Sequence, residues 1–359
     1  MTPPLLTRAV RVLVVDDSAV VRTVLSRGLS ADPEIEVVGT ACDAYEAREA
    51  LVALKPDVMT LDIEMPKMDG VSFLRKLMPQ WPVPTVMVST LTVHGGTRTL
   101  EALRAGAVDY VAKPTDPDHG DVTGMLYELR SKVKWASQAD MTRWRHHTAT
   151  RQTRWVAPSP SAVRTQDGPR LIAIGASTGG VEALHAVLST LRAEMPPIVI
   201  VQHMPATFTP VLASWLDARS PLTVREARHD EPLEDGTVYL APGGAHLRVR
   251  RRGGALRAAL DPQTAEVSGH RPSVDVLFAS VAQAAPRESV AVLLTGMGRD
   301  GADSLLALRN AGAHTAAQDE ATSLVFGMPR AAAAVGAAET ILALDKVGPW
   351  LVRSVWETP

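Results

Sequence analysis

The chain has 359 residues, with 37 Lys plus Arg against 39 Asp plus Glu, a formal net charge of −2 and a hydrophobic fraction of 46%. At roughly 150 residues per domain this length predicts about two domains with packed cores, and it excludes general disorder. A single cysteine, Cys42, excludes an internal disulfide or a cysteine-rich zinc site, and no apolar run approaches the ~20 residues of a membrane span. The N-terminus meets an acidic pair before a signal-peptide core is complete, so the expectation is a soluble, cytoplasmic protein with no membrane insertion.

The run RVLVVDD (11–17) predicts a short strand ending in acids, followed by a helix over 18–30. A strand over 36–41 and a helix around 44–54 come next, then DVMTLD (57–62), a helix near 70–79, and TVMVST (85–90). A helix near 96–105 and the strand DYVAK (109–113) complete the series. Short apolar strands alternating with amphipathic helices indicate a parallel sheet covered on both faces. Five such strands in about 120 residues fit one doubly wound domain.

Residues 131–168 break this rhythm. They contain Ser, Thr, Pro and basic residues but few aliphatic ones, and predict a linker whose first half could extend the preceding helix. Trp135, Trp144 and Trp155 are unusual in a solvated linker and could pack on a domain. Charge follows the same division: −5 over residues 1–130, +5 over 131–168 and −2 over 169–359. The expected domains are therefore 8–130, a basic linker over 131–168, and 169–359.

The third region opens at RLIAIGASTGG (170–180), a strand entering a glycine-rich turn, and continues through PIVIVQH (197–203) and VYLAPGGAHLRV (238–249). SVAVLLTG (289–296) predicts another strand, and GADSLLALRNAG (301–312) a helix. Alternating and Gly-rich segments over 238–260 suggest an antiparallel hairpin inserted in an otherwise α/β domain.

Two groups of residues carry chemistry. Asp16 and Asp17 end the first strand and Asp62 the third, and strand carboxyl ends converge on one crevice in a doubly wound sheet. Three carboxylates there repel one another and are most simply stabilised by a hard cation such as Mg²⁺. Ser89 ends the fourth strand and Lys113 the fifth, each placed to reach the same crevice. A carboxylate beside a metal, a hydroxyl and an ammonium can accept a phosphoryl group; taken singly, each residue would simply cap a helix.

In the second group Ser177 follows the strand LIAI in GASTGG, His203 follows VIVQ, and Asp300 lies in TGMGRDG after VAVLL. Singly, these are a phosphate-binding turn, a structural histidine and a helix N-cap. Together they place hydroxyl, imidazole and carboxylate on one edge of one sheet, the components of a nucleophilic triad. The order Ser–His–Asp and the absence of a G-x-S-x-G elbow exclude an α/β-hydrolase.

Residues 11–130 resemble a response-regulator receiver domain, of flavodoxin-like fold, through VVDDS, TLDIEMPKMDG, VMVST and DYVAKP. That resemblance implies Asp62 as phosphoacceptor, with Asp16, Asp17 and the Glu64 backbone carbonyl completing a Mg²⁺ site. It further implies phosphoryl contacts from Ser89 and Lys113, and Tyr110 as the switch aromatic. Residues 170–345 resemble the catalytic domain of the chemotaxis protein-glutamate methylesterases, a larger Rossmann-like fold, through IAIGASTGG, IVQHMP, YLAPGGAHL, HRPSVDVLF, LLTGMGRDGA and FGMPRAA.

The second resemblance implies Ser177 as nucleophile, His203 as general base and acid, and Asp300 as the group orienting His203. Oxyanion stabilisation maps to the Met297 N–H, aided by N–H groups near Ser177, with Thr178 beside the nucleophile. It implies hydrolysis of glutamate methyl esters on chemoreceptors, release of methanol, deamidation of selected receptor glutamines, and no cofactor in the esterase site. A chemotaxis histidine kinase would be the phosphodonor. The unphosphorylated receiver is expected to obstruct the triad cleft, and phosphorylation of Asp62 to shift the population towards an open form. The polar HRPSVD segment (270–275) is expected to border the cleft, where Arg271 could contact acidic receptor groups; the alternative is a structural turn. A DNA-binding output module and a nucleotide-phosphate loop at GASTGG are the competing readings. The first suits a helix-turn-helix far smaller than the remaining ~190 residues.

Overall fold

The computed structural model describes residues 8–90, 93–114, 121–139, 141 and 170–356. The chain divides into two compact units, within residues 2–151 and 152–359. Most of the expected linker, with Trp144 and Trp155, lies outside the described residues.

The first unit runs β1 (Val10–Val15), α1 (Ala19–Ser30), β2 (Ile35–Ala41), α2 (Ala44–Leu54), β3 (Val58–Asp62) and α3 (Gly70–Leu77). It continues through β4 (Thr85–Thr90), α4 (Val93–Arg104), β5 (Asp109–Lys113) and α5 (Val122–Ala136). The five strands pair in parallel in the order β2-β1-β3-β4-β5. Helices on both faces explain why the central strands read as unbroken apolar runs: Val12 to Val15 and Val58 to Leu61 are all buried. Ser18, Asp43 and Asp69 cap α1, α2 and α3 through their side chains, so each helix begins where its strand-end loop supplies an acceptor. Helix α5 continues past residue 130 to Ala136, burying Trp135 and pairing Lys134 with Asp32 and Glu34. Burial of Trp135 in this unit is the packing that an otherwise polar segment required.

In the second unit β6 (Leu171–Ala176) leads to α6 (Gly180–Leu188), β7 (Ile198–Gln202), α7 (Thr209–Asp217), β8 (Thr223–Glu226) and β9 (Thr237–Leu240). Then follow β10 (His246–Arg252), β11 (Ala255–Asp261), α8 (Val274–Ala284), β12 (Ser289–Leu293) and α9 (Ala302–Asn310). The unit ends with β13 (His314–Gln318), α10 (Met328–Ala334), β14 (Thr340–Leu342) and α11 (Leu344–Trp356). Seven strands form a parallel sheet in the order β14-β13-β12-β6-β7-β9-β8. One face is packed by Leu277, Phe278 and Val281 of α8 and by Leu305 and Leu308 of α9.

The antiparallel hairpin is shorter than the sequence indicated. Residues Thr237–Leu240 are buried and belong to the main sheet as β9; among the strands of the described residues β10 and β11 alone pair antiparallel, with isolated antiparallel bridges at Pro232–Arg257 and Val267–His270. Gly253 and Gly254, with φ of 58° and 83°, form the two-residue turn between them.

Both sheets reverse their direction of growth beside the first strand. In the first unit β1 lies between β2 and β3; in the second β6 lies between β7 and β12. Loops at the carboxyl ends of these neighbouring strands therefore separate to opposite faces and leave a crevice. Among the described residues no helix is long and apolar enough to cross a membrane.

Candidate active site and phosphorylation site

At the crevice of the first sheet, carboxylate oxygens of Asp16, Asp17 and Asp62 lie within 4.8 Å of one another. Asp16 and Asp62 are buried, whereas Asp17 is exposed. Lys113, at the end of β5, places Nζ 2.8 Å from Asp16 and 2.7 Å from Asp62. Burial, opposed by Lys113 and assisted by the neighbouring Asp16, pushes the Asp62 carboxyl up to about 6. Carboxylates held together at this electrostatic cost form a hard, all-oxygen donor set that suits Mg²⁺, whose charge would relieve their repulsion. The Asp62 carboxylate also accepts the N–H of Ile63 at 2.7 Å.

The remaining residues expected at this crevice are distributed around it. Ser89 is buried within β4, next to β3, and Glu64 lies on the turn after β3 with its side chain exposed. Tyr110 is 5% exposed and so faces inward. The Nζ of Lys132 sits 4.9 Å above its ring and hydrogen-bonds its backbone carbonyl at 2.6 Å. Asp109 and Glu128 hold that lysine at 3.1 and 2.7 Å.

In the second unit, three residues far apart in sequence meet on adjacent strand ends. Ser177 follows β6, His203 follows β7, and Asp300 follows β12. His203 Nδ1 is 3.1 Å from the Ser177 hydroxyl, and Nε2 is 2.7 Å from Asp300 Oδ2. Ser177 is 9% exposed and Asp300 2%. Burial alone would raise the Asp300 carboxyl, but hydrogen bonds from His203, Ser273 and the Val274 N–H hold it well below the usual carboxylate range. An ionised Asp300 can only accept, so Nε2 carries the proton and Nδ1 is left to accept from the Ser177 hydroxyl.

The turn bearing Ser177 is held by its own backbone. Gly179 adopts φ 78° at the start of α6, a conformation that lets the chain turn sharply after β6. The Ser177 carbonyl accepts from the Gly180 N–H at 2.7 Å and from the Gln202 amide at 2.9 Å; the same amide reaches the His203 carbonyl at 3.2 Å. Gln202 thus ties the turn bearing Ser177 to the turn bearing His203.

The Ser177 N–H itself is engaged within the sheet edge. The Ser177 N–H donates to the Thr295 carbonyl at 3.0 Å, because β12 runs beside β6 and its end supplies an acceptor at that point. It is not free to hold an oxyanion. The turn after β12 passes so close that a Cβ on Gly296 would lie 2.8 Å from the Ser177 Cβ, and Met297 follows directly. Thr178 is buried beside Ser177, its carbonyl accepting from the Thr295 hydroxyl at 3.0 Å.

Four residues that shape this site were not singled out by sequence patterns: Gln202, His246, His270 and Ser273. The ring of His270 stacks on His203 with centroids 3.7 Å apart and planes at 14°. Ser273 and the start of α8 contact Asp300. Each of the four lies inside a segment quoted above, PIVIVQH, VYLAPGGAHLRV or HRPSVD, and the last borders the cleft as expected, meeting His203 and Asp300. Arg271, from the same segment, instead donates to the carbonyls of Pro262 and Thr264, both at 3.1 Å.

Residues 172–351 match the description of the CheB methylesterase family, and residues 12–121 that of the response regulator receiver domain. A protein of Syntrophotalea carbinolica named protein-glutamate methylesterase/protein-glutamine glutaminase is 48% identical over 345 residues, spanning 96% of this chain and 97% of the relative. The chain belongs to the CheB methylesterase family. A Caulobacter vibrioides protein of the same name, numbered 1, is 51% identical and covers 94% of this chain and 96% of its own length. The crystal structure of the Thermotoga maritima CheB methylesterase catalytic domain superposes with a TM-score of 0.50 at 36% identity, covering 52% of this chain and 98% of that one. Both relatives align across both units of this chain, whereas the solved catalytic domain aligns with about half of it.

Proposed function

We propose that this protein is a phosphorylation-activated protein-glutamate methylesterase that also deamidates selected glutamines, acting on chemoreceptors in chemosensory adaptation. The observation that carries the reading is the continuous hydrogen-bonded line from Ser177 through His203 to a buried, ionised Asp300. The engagement of the Ser177 hydroxyl by an imidazole favours a nucleophile over a nucleotide-phosphate loop.

In the acylation half-reaction, the Ser177 oxygen attacks the γ-carbonyl carbon of the methylated glutamate while His203 Nδ1 takes its proton. Asp300 stabilises the imidazolium through Nε2–H. The Met297 N–H, on the turn pressed against Ser177, is the donor assigned to the oxyanion, with Thr178 beside it. Collapse of the tetrahedral adduct breaks the C–O bond to the methoxy group, which leaves as methanol with the proton from Nδ1. Water then attacks the acyl-enzyme, losing a proton to His203; the bond to the Ser177 oxygen breaks as His203 returns that proton to it, and the released glutamate carboxyl ionises to solvent. A glutamine amide follows the same course with ammonia as leaving group.

The receiver, residues 8–130, supplies control through Asp62 as phosphoacceptor, and residues 131–168 link it to the esterase of residues 169–359. Asp16, Asp17 and Asp62, with the Glu64 backbone carbonyl, would hold Mg²⁺, which neutralises charge on the transferring phosphoryl group. Ser89 and Lys113 contact that group, and Tyr110 is the aromatic whose position reports activation. A chemotaxis histidine kinase is the phosphodonor. The test is methanol release from methylated receptor with and without a small phosphodonor. Activity that rises with the phosphodonor supports the reading, and no methanol release under either condition overturns it.

A further inference from the structure

We propose that Ser273 is a positioning residue of the triad, fixing the Asp300 carboxylate through its hydroxyl and itself fixed by the buried His246. This rests on Ser177, His203 and Asp300 acting together as the hydrolytic triad.

Ser273 stands at the N-cap of α8, with φ −119° and ψ 139°, and is fully buried. A serine there ordinarily accepts an N–H from the first turn of its own helix. This one makes no such bond. Its O–H instead donates to Asp300 Oδ1 at 2.8 Å. The N–H groups at the start of α8 go to the same carboxylate, Val274 to Oδ2 at 2.7 Å and Asp275 to Oδ1 at 3.2 Å. Asp300 therefore caps a helix to which it does not belong, and the helix's own cap residue has been turned round to hold it.

The two carboxylate oxygens have distinct partners. Oδ2 is shared by the Val274 N–H and His203 Nε2, whereas Oδ1 is held by Ser273 at 2.8 Å and only loosely by Asp275. Removing the hydroxyl leaves Oδ1 with the long Asp275 N–H contact, beside an Asp275 carboxyl raised by burial and by Asp300 itself. The carboxylate can then turn about its Cβ–Cγ bond, and Oδ2 moves off the line to Nε2.

Ser273 is held from behind. His246, wholly buried at the start of β10, accepts the Ser273 N–H at Nδ1 at 3.2 Å. Its Nε2 faces the Ala265 carbonyl at 3.0 Å, which requires the proton on Nε2 and leaves Nδ1 as the acceptor. Both edges of the ring are committed, so the backbone of Ser273 is pinned while its hydroxyl points at Asp300.

Threonine and valine at position 273 differ by one hydroxyl and share nearly the same shape, which separates hydrogen bonding from packing. In the full-length protein Ser273→Val should lower kcat for methanol release about 10- to 100-fold with KM little changed, and Ser273→Thr should retain most of the activity. The low-field proton resonance of the His203–Asp300 hydrogen bond should survive in Ser273→Thr and be lost by solvent exchange in Ser273→Val. If the branched side chains prevent folding, Ser273→Ala against the parent reads the same two quantities. Equal kcat in the Val and Thr variants, or an unchanged resonance in Ser273→Val or Ser273→Ala, overturns the proposal. If the parent releases no methanol, the function reading fails. The resonance, and the rate at which an organophosphorus serine reagent modifies Ser177, still decide the role of Ser273.

Discussion

His203 turns Nδ1 towards the Ser177 hydroxyl, at 3.1 Å, and Nε2 towards Asp300, at 2.7 Å. In the chymotrypsin arrangement the two ring nitrogens have the opposite assignment. The chemistry is unaffected, because either nitrogen can relay the proton once the other is fixed by a carboxylate. The scaffold is what differs: His203 leaves β7 and must reach across β6 to Asp300 beyond it, with its second face covered by His270.

Ser177→Ala removes the proposed nucleophile and should lower methanol release on the order of 10⁴-fold or more. The thermal unfolding midpoint should stay close to that of the parent, since only one hydroxyl is lost.

Asp300→Asn should reduce kcat on the order of 10⁴-fold, because an amide no longer enforces the proton on Nε2. Stability carries a second signature. The folded-state Asp300 value lies below the unfolded one, so its ionised form contributes stability that is complete above roughly pH 5. That contribution fades as pH falls through the unfolded range near 4 towards the depressed folded value. The difference in unfolding midpoint between parent and Asp300→Asn should therefore be largest near neutral pH and narrow towards pH 3.

Gly296→Ala tests the close approach of the β12 turn to the nucleophile. A Cβ there meets the Ser177 Cβ at 2.8 Å and the Met328 sulfur, so Ser177 or the Met297 turn must shift. Displacements of this kind cost about 100-fold in rate. The expected result is a fall in kcat of that order in steady-state assays, accompanied by destabilisation of about 1–3 kcal/mol in urea unfolding.

Asp62→Asn should abolish phosphoryl incorporation from a small phosphodonor and the accompanying rise in methanol release, while basal esterase activity remains. Chelation of divalent cations with EDTA should abolish phosphorylation in the parent, because the Asp16, Asp17 and Asp62 carboxylates need the added positive charge to accept a phosphoryl dianion. Stimulation surviving in Asp62→Asn would exclude this aspartate as the phosphoacceptor.

Much of the fold and both sites were legible in one dimension. Strands such as Val12 to Val15 and Leu171 to Ile174 are buried on both faces and therefore appear as apolar runs, and the candidate site residues stand where those runs stop. Asp16, Asp62, Ser177 and His203 are visible for that reason alone. The β8, β13 and β14 strands are short or carry little apolar signal, as in Thr223–Glu226 and His314–Gln318, and their places in the sheet come from pairing with neighbours.

What the sequence by itself determined is the alternation of strands and helices, the two groups of polar residues at strand ends, and the family to which they point. Periodicity and strand-end position are local properties, readable over a few residues. Only the tertiary structure decided that His203 uses Nδ1 on Ser177, that the Ser177 N–H is taken by Thr295, and that Ser273, His246 and His270 complete the site. His203 and Asp300 are 97 residues apart and Ser273 and Asp300 27, so these contacts depend on how β7, β12 and α8 pack. A serine at a helix start is ordinarily that helix's cap, and nothing along the chain marks the one whose hydroxyl is drawn to a carboxylate from another loop.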